Sequence, residues 1–286
     1  MVRGIAFLVG AAFAAVLAWA LLWTVQGVIA DPSPKLATGA DKSAESEFHL
    51  HPRDAHLSSA GIFGKYDRRQ LQRGYQVYKE VCSACHSLRL VAFRDLKGLD
   101  YSDGQVKAIA ASFDNIPTTN PDTGEPTTRK GVPADHFPLP FANDIAARAA
   151  NNNAIPPDLS YITRARHGGA DYVYSLLTGY QPQSAEMLKE FPDIKTPKGL
   201  YSNPYFANLN IAMPPPLKSN GQVQYSDGTA STVDNYARDV AAFLTWTADP
   251  YLETRHQAGF AAVIFLIIAS FLAFGAYRNV WRDVKH

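Results

Sequence analysis

The fold is built around the stretch Val81-Cys82-Ser83-Ala84-Cys85-His86. The spacing C-x-x-C-H is the attachment sequence of a c-type haem, in which each cysteine sulfur adds to one vinyl group of the macrocycle. One helical turn presents both thiols along one edge of the ring, and the histidine that follows reaches the iron as the proximal ligand. We therefore expect covalent haem at Cys82 and Cys85, with His86 as an axial ligand.

Two other uses of paired cysteines fit the sequence less well. A zinc site needs further soft ligands, such as a second cysteine pair or a spaced histidine pair. The chain has only 2 cysteines, and both lie in this motif. A redox-active dithiol sits where a strand meets a helix, whereas residues 70–80 show no strand pattern. Haem attachment is the interpretation that the sequence favours.

Length, net charge and cysteine number limit the size, the partners and the cellular location of the protein. The chain has 286 residues, which allows one large domain or two small ones. Its formal net charge of +1 is too balanced to indicate nucleic-acid binding, so no nucleic-acid partner is expected. Both cysteines are used by the haem motif, so their number says nothing direct about the redox compartment. Covalent haem attachment does indicate the compartment, because bacteria attach haem c on the outer side of the cytoplasmic membrane.

The N-terminal segment agrees with export. An apolar run over 4–25 follows Arg3, and residues 28–30 resemble a signal-peptide cleavage site. The run is also about as long as the roughly 20 residues that span a bilayer. A cleaved signal peptide and a retained membrane anchor therefore both remain open for residues 1–30. Residues 31–59 are rich in Pro, Ser, Ala and charges without periodicity, and they predict a linker.

Apolar periodicity predicts three helices in the part of the chain that follows. Apolar residues at three- and four-residue steps predict a helix from Asp67 to the haem motif, a short helix over 103–113 and a terminal helix over about 231–248. Turn-forming residues predict a long loop over 115–141. The alternation around 219–229 predicts a small hairpin.

A second informative region follows the paired prolines at 156–157, which stop a helix. Asp158 or Ser160 can then cap a short helix over 161–167. This helix carries Arg164 and Arg166. Because the propionates of a buried haem need cationic partners, either arginine can serve that role or be an ordinary surface residue.

The sixth ligand of the iron is predicted from the scarcity of methionine. Met1 is the initiator, and Met187 lies in a polar run. Met213 lies in Ile211-Ala212-Met213-Pro214-Pro215-Pro216, where prolines fix an extended backbone that can hold a thioether rigidly. We expect Met213 to ligate the iron. His/Met ligation raises the reduction potential and leaves no open coordination position, so the expected chemistry is electron transfer.

The C-terminal segment predicts a membrane helix. Residues 258–277 carry no charge and reach the length of about 20 residues that a span needs. Arg278, Arg282 and Lys285 follow directly, which by the positive-inside rule puts the C-terminus in the cytoplasm. The haem domain is then expected on the outer side.

Taken together, these residues resemble the cytochrome c1 family, the haem subunits of cytochrome bc1 complexes, in its alphaproteobacterial form. The resemblance covers nearly the whole chain from residue 61, and the set of segments is far more specific than C-x-x-C-H alone. The matching segments are 61–64, 73–86, 148–152, 156–161, 164–169, 171–173, 176–180, 203–206, 211–215 and the C-terminal anchor.

The resemblance implies a fold and a division of the chain. The fold would be mainly α, with a class I cytochrome c-like haem domain carrying loop insertions over 60–252, in the periplasm of a bacterial inner membrane. A transmembrane helix over 256–278 and a cytoplasmic tail over 279–286 would follow. The haem c would be single and bound through two thioethers. Its binding residues would be Cys82, Cys85, His86, Asn151, Pro156, Pro157, Arg166 (to a propionate), Tyr172 and Met213, with His86 and Met213 on the iron.

The resemblance also implies partners. A mobile Rieske iron–sulfur protein would reduce the haem, a cytochrome c would reoxidise it, and cytochrome b would lie beside it in a dimeric complex embedded in membrane lipid. The chain would not be catalytic alone. Asn153 departs from the glycine common in the family, so the local turn is open. The alternatives are a free-standing, membrane-anchored cytochrome c that feeds a terminal oxidase, and a peroxidase-like protein with an open sixth site.

Overall fold

The computed structural model describes residues 2–30 and 43–283. It divides the chain into two compact units, Met1–Glu47 and Phe48–His286. Most of its regular structure is helical, as the sequence predicts. The helices are α1 Val2–Ala30, α2 Ala44–Phe48, α3 Arg68–Glu80, α4 Asp103–Ala111, α5 Asp144–Ala150, α6 Ile162–Ala165, α7 Gly169–Thr178, α8 Ala185–Glu190, α9 Val233–Ala248 and α10 Leu252–Trp281. The strands are β1 Ile116–Thr119, β2 Pro126–Arg129, β3 Tyr201–Ser202 and β4 Asn210–Ile211.

Helices α3 and α9 pack against each other and organise the second unit. Their N-termini are fixed by side-chain caps: Asp67 accepts hydrogen bonds from the Arg69 and Gln70 amides, and Thr232 accepts one from the Asn235 amide. The structure confirms both predicted helices, and α9 begins at Val233, directly after its cap Thr232.

The two helices meet at a glycine. A Cβ atom on Gly74 would lie 2.0 Å from the carbonyl oxygen of Asp239, so only glycine lets the backbones come this close. The neighbouring Arg73 bridges the same contact, because its Nε lies 2.8 Å from Asp239 and its Nη1 lies 2.8 Å from Asp227. The Asp239 side chain is only 3% exposed. A buried charge of this kind needs such a partner.

Aromatic rings fill the space beside this crossing. The Tyr75 and Tyr78 rings of α3 lie 5.7 and 5.9 Å from Phe243 of α9, measured between centroids. Phe137, from the inserted segment after α4, lies 6.0 Å from Tyr78 and 4.6 Å from Phe93. Centroid separations of about 4.5–7 Å are those at which aromatic pairs attract. Phe137 thereby attaches the long segment that follows α4 to the core.

Two local predictions are wrong, and one further segment contains a helix that was not predicted. The segment 115–141 was expected to be a loop, but β1 and β2 form an antiparallel hairpin within it. The predicted hairpin at 219–229 has no strand, because Val223 is wholly buried and its backbone is bonded to the Tyr236 hydroxyl instead. The linker contains α2, which begins at Ala44. Residues 31–42 of the linker and 284–286 of the tail lie outside the described residues.

Helix α10 is long and apolar enough to cross a membrane, and the side chains of its apolar window are not buried in the protein. It begins close to the haem domain. Asp249, at the end of α9, accepts hydrogen bonds from Arg164 of α6 and from Arg255 of α10, the latter at 2.5 Å. Helix α1 is continuous over 29 residues. Whether residues 1–30 are cleaved or retained stays a prediction.

Candidate haem site

The C-x-x-C-H motif forms a single turn at the end of α3. Residues Cys82–Ala84 are a 3-10 helix, and the amides of Cys85 and His86 both donate to the carbonyl of Cys82, at 3.1 and 2.9 Å. The Tyr78 hydroxyl donates to the His86 carbonyl at 3.0 Å, which ties the end of the motif back to α3. Both cysteines are free and half-buried. The turn therefore presents two thiols and an imidazole together, as haem attachment requires.

The imidazole of His86 is oriented by a backbone carbonyl. Its Nδ1 lies 2.8 Å from the carbonyl oxygen of Pro157, so Nδ1 carries the proton and donates it. Desolvation lowers the pKa of His86, although the bond to Pro157 and the nearby Asp158 oppose that effect. The ring is thus neutral, and its Nε2 lone pair is free for a metal. Ligand histidines are commonly fixed by such a second bond.

Asp158 fixes the carbonyl that orients His86. Its carboxylate accepts hydrogen bonds from the Ser87 hydroxyl at 2.7 Å, the Arg89 amide at 2.9 Å and the Ser160 amide at 2.9 Å. Burial raises the pKa of Asp158, but these hydrogen bonds outweigh burial and the pKa is lowered overall. The cap prediction is wrong: α6 has no side-chain cap. Asp158 instead holds the segment after the motif against the prolines.

Met213 lies two residues beyond β4, whose Ile211 pairs with Tyr201 of β3. Its backbone carbonyl accepts a hydrogen bond from the Tyr180 hydroxyl at 3.1 Å. Burial raises the pKa of Tyr180, so this hydroxyl stays a donor throughout the physiological range. The other internal methionine, Met187, is buried at 6% exposure although its sequence neighbours are polar. A buried thioether beside local side chains is a packing residue.

The two arginines of the α6 region have different surroundings. Arg164 is bound to Asp249, whereas Arg166 is exposed and lies at the hydroxyl of Tyr172. Burial raises the pKa of Tyr172, and the Arg166 charge opposes the rise. Burial is the main cause of the raised pKa of Tyr180, and Tyr172 adds a smaller contribution.

The remaining predicted pocket residues, Asn151 and Pro156, lie in the segment between α5 and Pro157. Asn151 follows α5 and donates from its amide to the Ala147 carbonyl at 2.8 Å. Pro156 is half-buried beside Pro157. Asn153, where the family commonly has glycine, adopts a left-handed φ of 63°. Asparagine tolerates this region better than most other residues with side chains.

Sequence reasoning missed two residues that position the site. Asp158 was considered only as a helix cap, because its partner Ser87 lies 71 positions away in the chain. Tyr180 was noticed only as part of a family segment, and nothing local to it indicates that it binds the carbonyl of Met213. Both contacts are non-local and follow from the fold alone.

The donor set fits a haem c rather than a bare metal ion. The half-buried thiols lie on one turn, one imidazole nitrogen is free, and a methionine in a proline-rich segment can supply a thioether. Within 2–30 and 43–283 there is no group of three or more His, Cys, Asp and Glu side chains that could hold a metal ion. Desolvation, with a further contribution from Cys85, raises the pKa of the Cys82 thiol to about 12. Burial of Cys82 therefore opposes the low-pKa thiolate that a redox dithiol needs.

A haem-attachment turn that ends one helix of a packed helix pair defines a c-type cytochrome domain. Comparison with known proteins narrows this class. The model of the Cytochrome C1 family matches residues 57–284. Cytochrome c1 of Rhodospirillum rubrum is 44% identical over 257 residues, which are 87% of this chain and 93% of that protein. The chain belongs to the cytochrome c1 family.

Two further relatives carry informative names. The protein named cytochrome b/c1 of Bradyrhizobium diazoefficiens is 45% identical over 241 residues, 79% of this chain but 35% of that longer protein. The protein named cytochrome b-c1 complex catalytic subunit, mitochondrial, of Candida albicans is 40% identical over 251 residues, 86% of this chain and 83% of that protein.

Proposed function

We propose that this chain is the haem-carrying electron-transfer subunit of a respiratory cytochrome bc1 complex. It accepts electrons from a Rieske iron–sulfur protein and passes them one at a time to a cytochrome c, coupled to ubiquinol oxidation and proton translocation by the whole complex. The observation that carries the proposal is the imidazole of His86, oriented by Pro157 on a C-x-x-C-H turn. Bound there, a haem c supplies reversible one-electron chemistry at iron.

In this proposal a single haem c is attached through Cys82 and Cys85. His86 and Met213 are the axial ligands, and Arg166 neutralises a propionate. With two protein ligands, the iron keeps no position for oxygen or substrate, so the subunit relays electrons and does not catalyse a reaction alone. The bond from Tyr180 to the Met213 carbonyl supports this arrangement, because it restrains the segment that has to present the thioether.

The names of the relatives support the proposed partners. One relative is named for both cytochrome b and cytochrome c1, and this chain corresponds to 35% of it. Another is named as a subunit of a cytochrome b-c1 complex. We accordingly place this chain beside a cytochrome b, with the Rieske protein, in a dimeric membrane complex.

The proposed location is the bacterial inner membrane. Helix α10 provides the span, and Arg278 and Arg282 follow its uncharged run. By the positive-inside rule the C-terminus faces the cytoplasm, and the haem domain faces the periplasm.

Spectroscopy and purification test this function separately. The oxidised protein should show the far-red charge-transfer band of a ferric iron bound by methionine sulfur, and Met213→Leu should abolish it and lower the midpoint potential. Met187→Leu is the matched control and should change neither. Mild detergent extraction should yield the chain together with a b-type haem and an iron–sulfur protein. Extraction of the chain alone would favour the free-standing carrier, and a band that survives Met213→Leu would contradict the ligand assignment.

A further inference from the structure

A tight turn of the haem domain presents two large apolar side chains outward. Gly61 has a φ of 77°, and the Gly64 amide donates to its carbonyl at 3.2 Å, so residues 61–64 form a β-turn. Ile62 and Phe63 occupy the two central positions and are 77% and 73% exposed. We call these four residues the 61–64 turn. Neither apolar side chain at its tip is buried by this chain.

The base of the 61–64 turn is rigid. The Lys65 amide donates to the Ser58 carbonyl at 2.9 Å and closes the loop. Gly64 is packed so closely that a Cβ atom on it would lie 2.1 Å from the Ser59 carbonyl oxygen. The exposure of the tip is therefore a fixed property of the fold and does not come from a loose loop.

Charged and polar contacts connect the chain after the turn to the start of α10. The Tyr66 amide donates to Glu253 at 2.7 Å, and the Tyr66 hydroxyl donates to the Asp249 carbonyl at 2.9 Å. Arg68 pairs with the same Glu253 at 2.8 Å. The chain after the turn and the first turns of α10 are therefore joined by several hydrogen bonds and an ion pair.

The tip of the turn lies at the level where α10 becomes apolar. The His256 Nδ1 lies 3.3 Å from the Gly64 carbonyl oxygen. One helical turn further along α10, the Phe260 ring lies 6.1 Å from the Phe63 ring, edge to face. The uncharged run of α10 begins at residue 258, and a helix rises about 1.5 Å per residue. Phe63 is thus level with the first turn of the membrane-spanning segment.

We propose that the 61–64 turn enters the lipid of the membrane interface and forms a second membrane contact beside α10. Lipid is the occupant that the position selects, because Phe63 touches a residue of the span itself and its surface continues the exposed apolar face of α10. Removing the exposed apolar surface of Ile62 and Phe63 from water is favourable. The exposed Lys65 follows the turn and can keep its charge at the headgroups while the tip is inserted. Two fixed contacts would hold the haem domain at one orientation on the membrane.

A spin label on the full-length haem protein tests this inference. Ile62→Cys gives one reactive thiol, because Cys82 and Cys85 are consumed by haem in the proposed holoprotein. The protein without Ile62→Cys should not take up label. If it does, Cys82 or Cys85 is a free thiol, which would contradict covalent haem attachment but not this inference. The labelled protein is placed in bilayer discs of phosphatidylcholine and phosphatidylglycerol, and its collision with oxygen is compared with that of a water-soluble nickel chelate.

Two matched positions calibrate the result. Phe271→Cys reports the interior of the span, and Thr123→Cys reports the aqueous tip of the β1–β2 hairpin. We expect the oxygen-to-nickel ratio at position 62 to be several-fold above that at 123 and below that at 271, because the turn lies at the interface and residue 271 lies deeper in the bilayer. A ratio like that at 123 would overturn the inference, because the turn would lie in water. Protection from both reagents would also overturn it, because the turn would lie against protein.

Phe63→Cys repeats the measurement if Ile62→Cys folds poorly, and the haem spectrum of each variant reports its folding. The accessibility ratio does not depend on electron transfer, so its outcome is independent of the proposed function.

Discussion

Gly74→Ala is expected to separate the central helix pair. The added Cβ atom would lie 2.0 Å from the Asp239 carbonyl oxygen and 2.7 Å from the Phe243 Cβ. Real Cβ atoms essentially never come closer than 3.0 Å to another heavy atom, so α3 and α9 must move apart by about 1 Å at this point. The obstacle is backbone and cannot rotate away.

The cost follows from what the movement disturbs. Overpacking in a core costs about 1–3 kcal/mol, and this shift also stretches the Arg73–Asp239 bond of 2.8 Å at a buried carboxylate. The higher helix propensity of alanine offsets this cost by stabilising α3 by up to about 1 kcal/mol. We expect the free energy of unfolding to fall by about 2–3 kcal/mol overall.

Denaturant unfolding of the haem protein in detergent, followed by far-UV circular dichroism, measures this change. Gly104→Ala is the matched control, because it also lies in a helix but a Cβ there meets nothing within 4 Å. The control should be neutral or stabilising by up to about 1 kcal/mol. If both variants unfold at the same denaturant concentration, the close helix contact is not what stabilises this domain.

Three further changes probe the haem site. Tyr180→Phe removes the hydrogen bond to Met213 and should weaken the far-red ferric band while far-UV dichroism is unchanged; an unaltered band would show that the bond positions nothing. Asp158 has a lowered folded pKa, so its stabilisation is complete above the unfolded value of about 4 and is lost as pH falls through the folded pKa. Asp158→Asn should therefore destabilise the protein by about 1–3 kcal/mol at pH 7 and flatten its acid-unfolding profile; a profile parallel to that of the unsubstituted protein would contradict this. Arg166→Gln should lower the midpoint potential in a potentiometric titration, because a cation near the iron favours the ferrous state. Arg164→Gln is the control, because it loses only a structural ion pair and should leave the potential unchanged. Equal shifts in the two variants would refute the assignment of Arg166 to a propionate.

The helix pair was predictable because its signals are local. Asp67 stands directly before the apolar stripe of α3 and caps it, and Thr232 does the same for α9. The haem turn was predictable for the same reason, since its ligands lie within five consecutive residues. In each case neighbouring residues contain the whole pattern.

The parts that escaped prediction depend on distant partners. β1 and β2 are short and have mostly exposed Thr and Pro side chains, so no apolar alternation marks them. Val223 does alternate with Tyr225, but its backbone bonds to Tyr236 of α9 and not to a second strand. The carboxylate of Asp158 could not be connected to Ser87 without the fold. Spacing along a chain does not encode such contacts.

Asp249 has a consequence for how the protein responds to the thickness of its bilayer. This one carboxylate binds Arg255 at the root of the span and Arg164 in the helix that precedes Arg166. A long apolar helix adapts to a thinner membrane by tilting. Because the carboxylate joins α10 to α6, we expect a tilt of α10 to strain this joint first, so that a change in lipid chain length is felt at Asp249 before any other part of the fold.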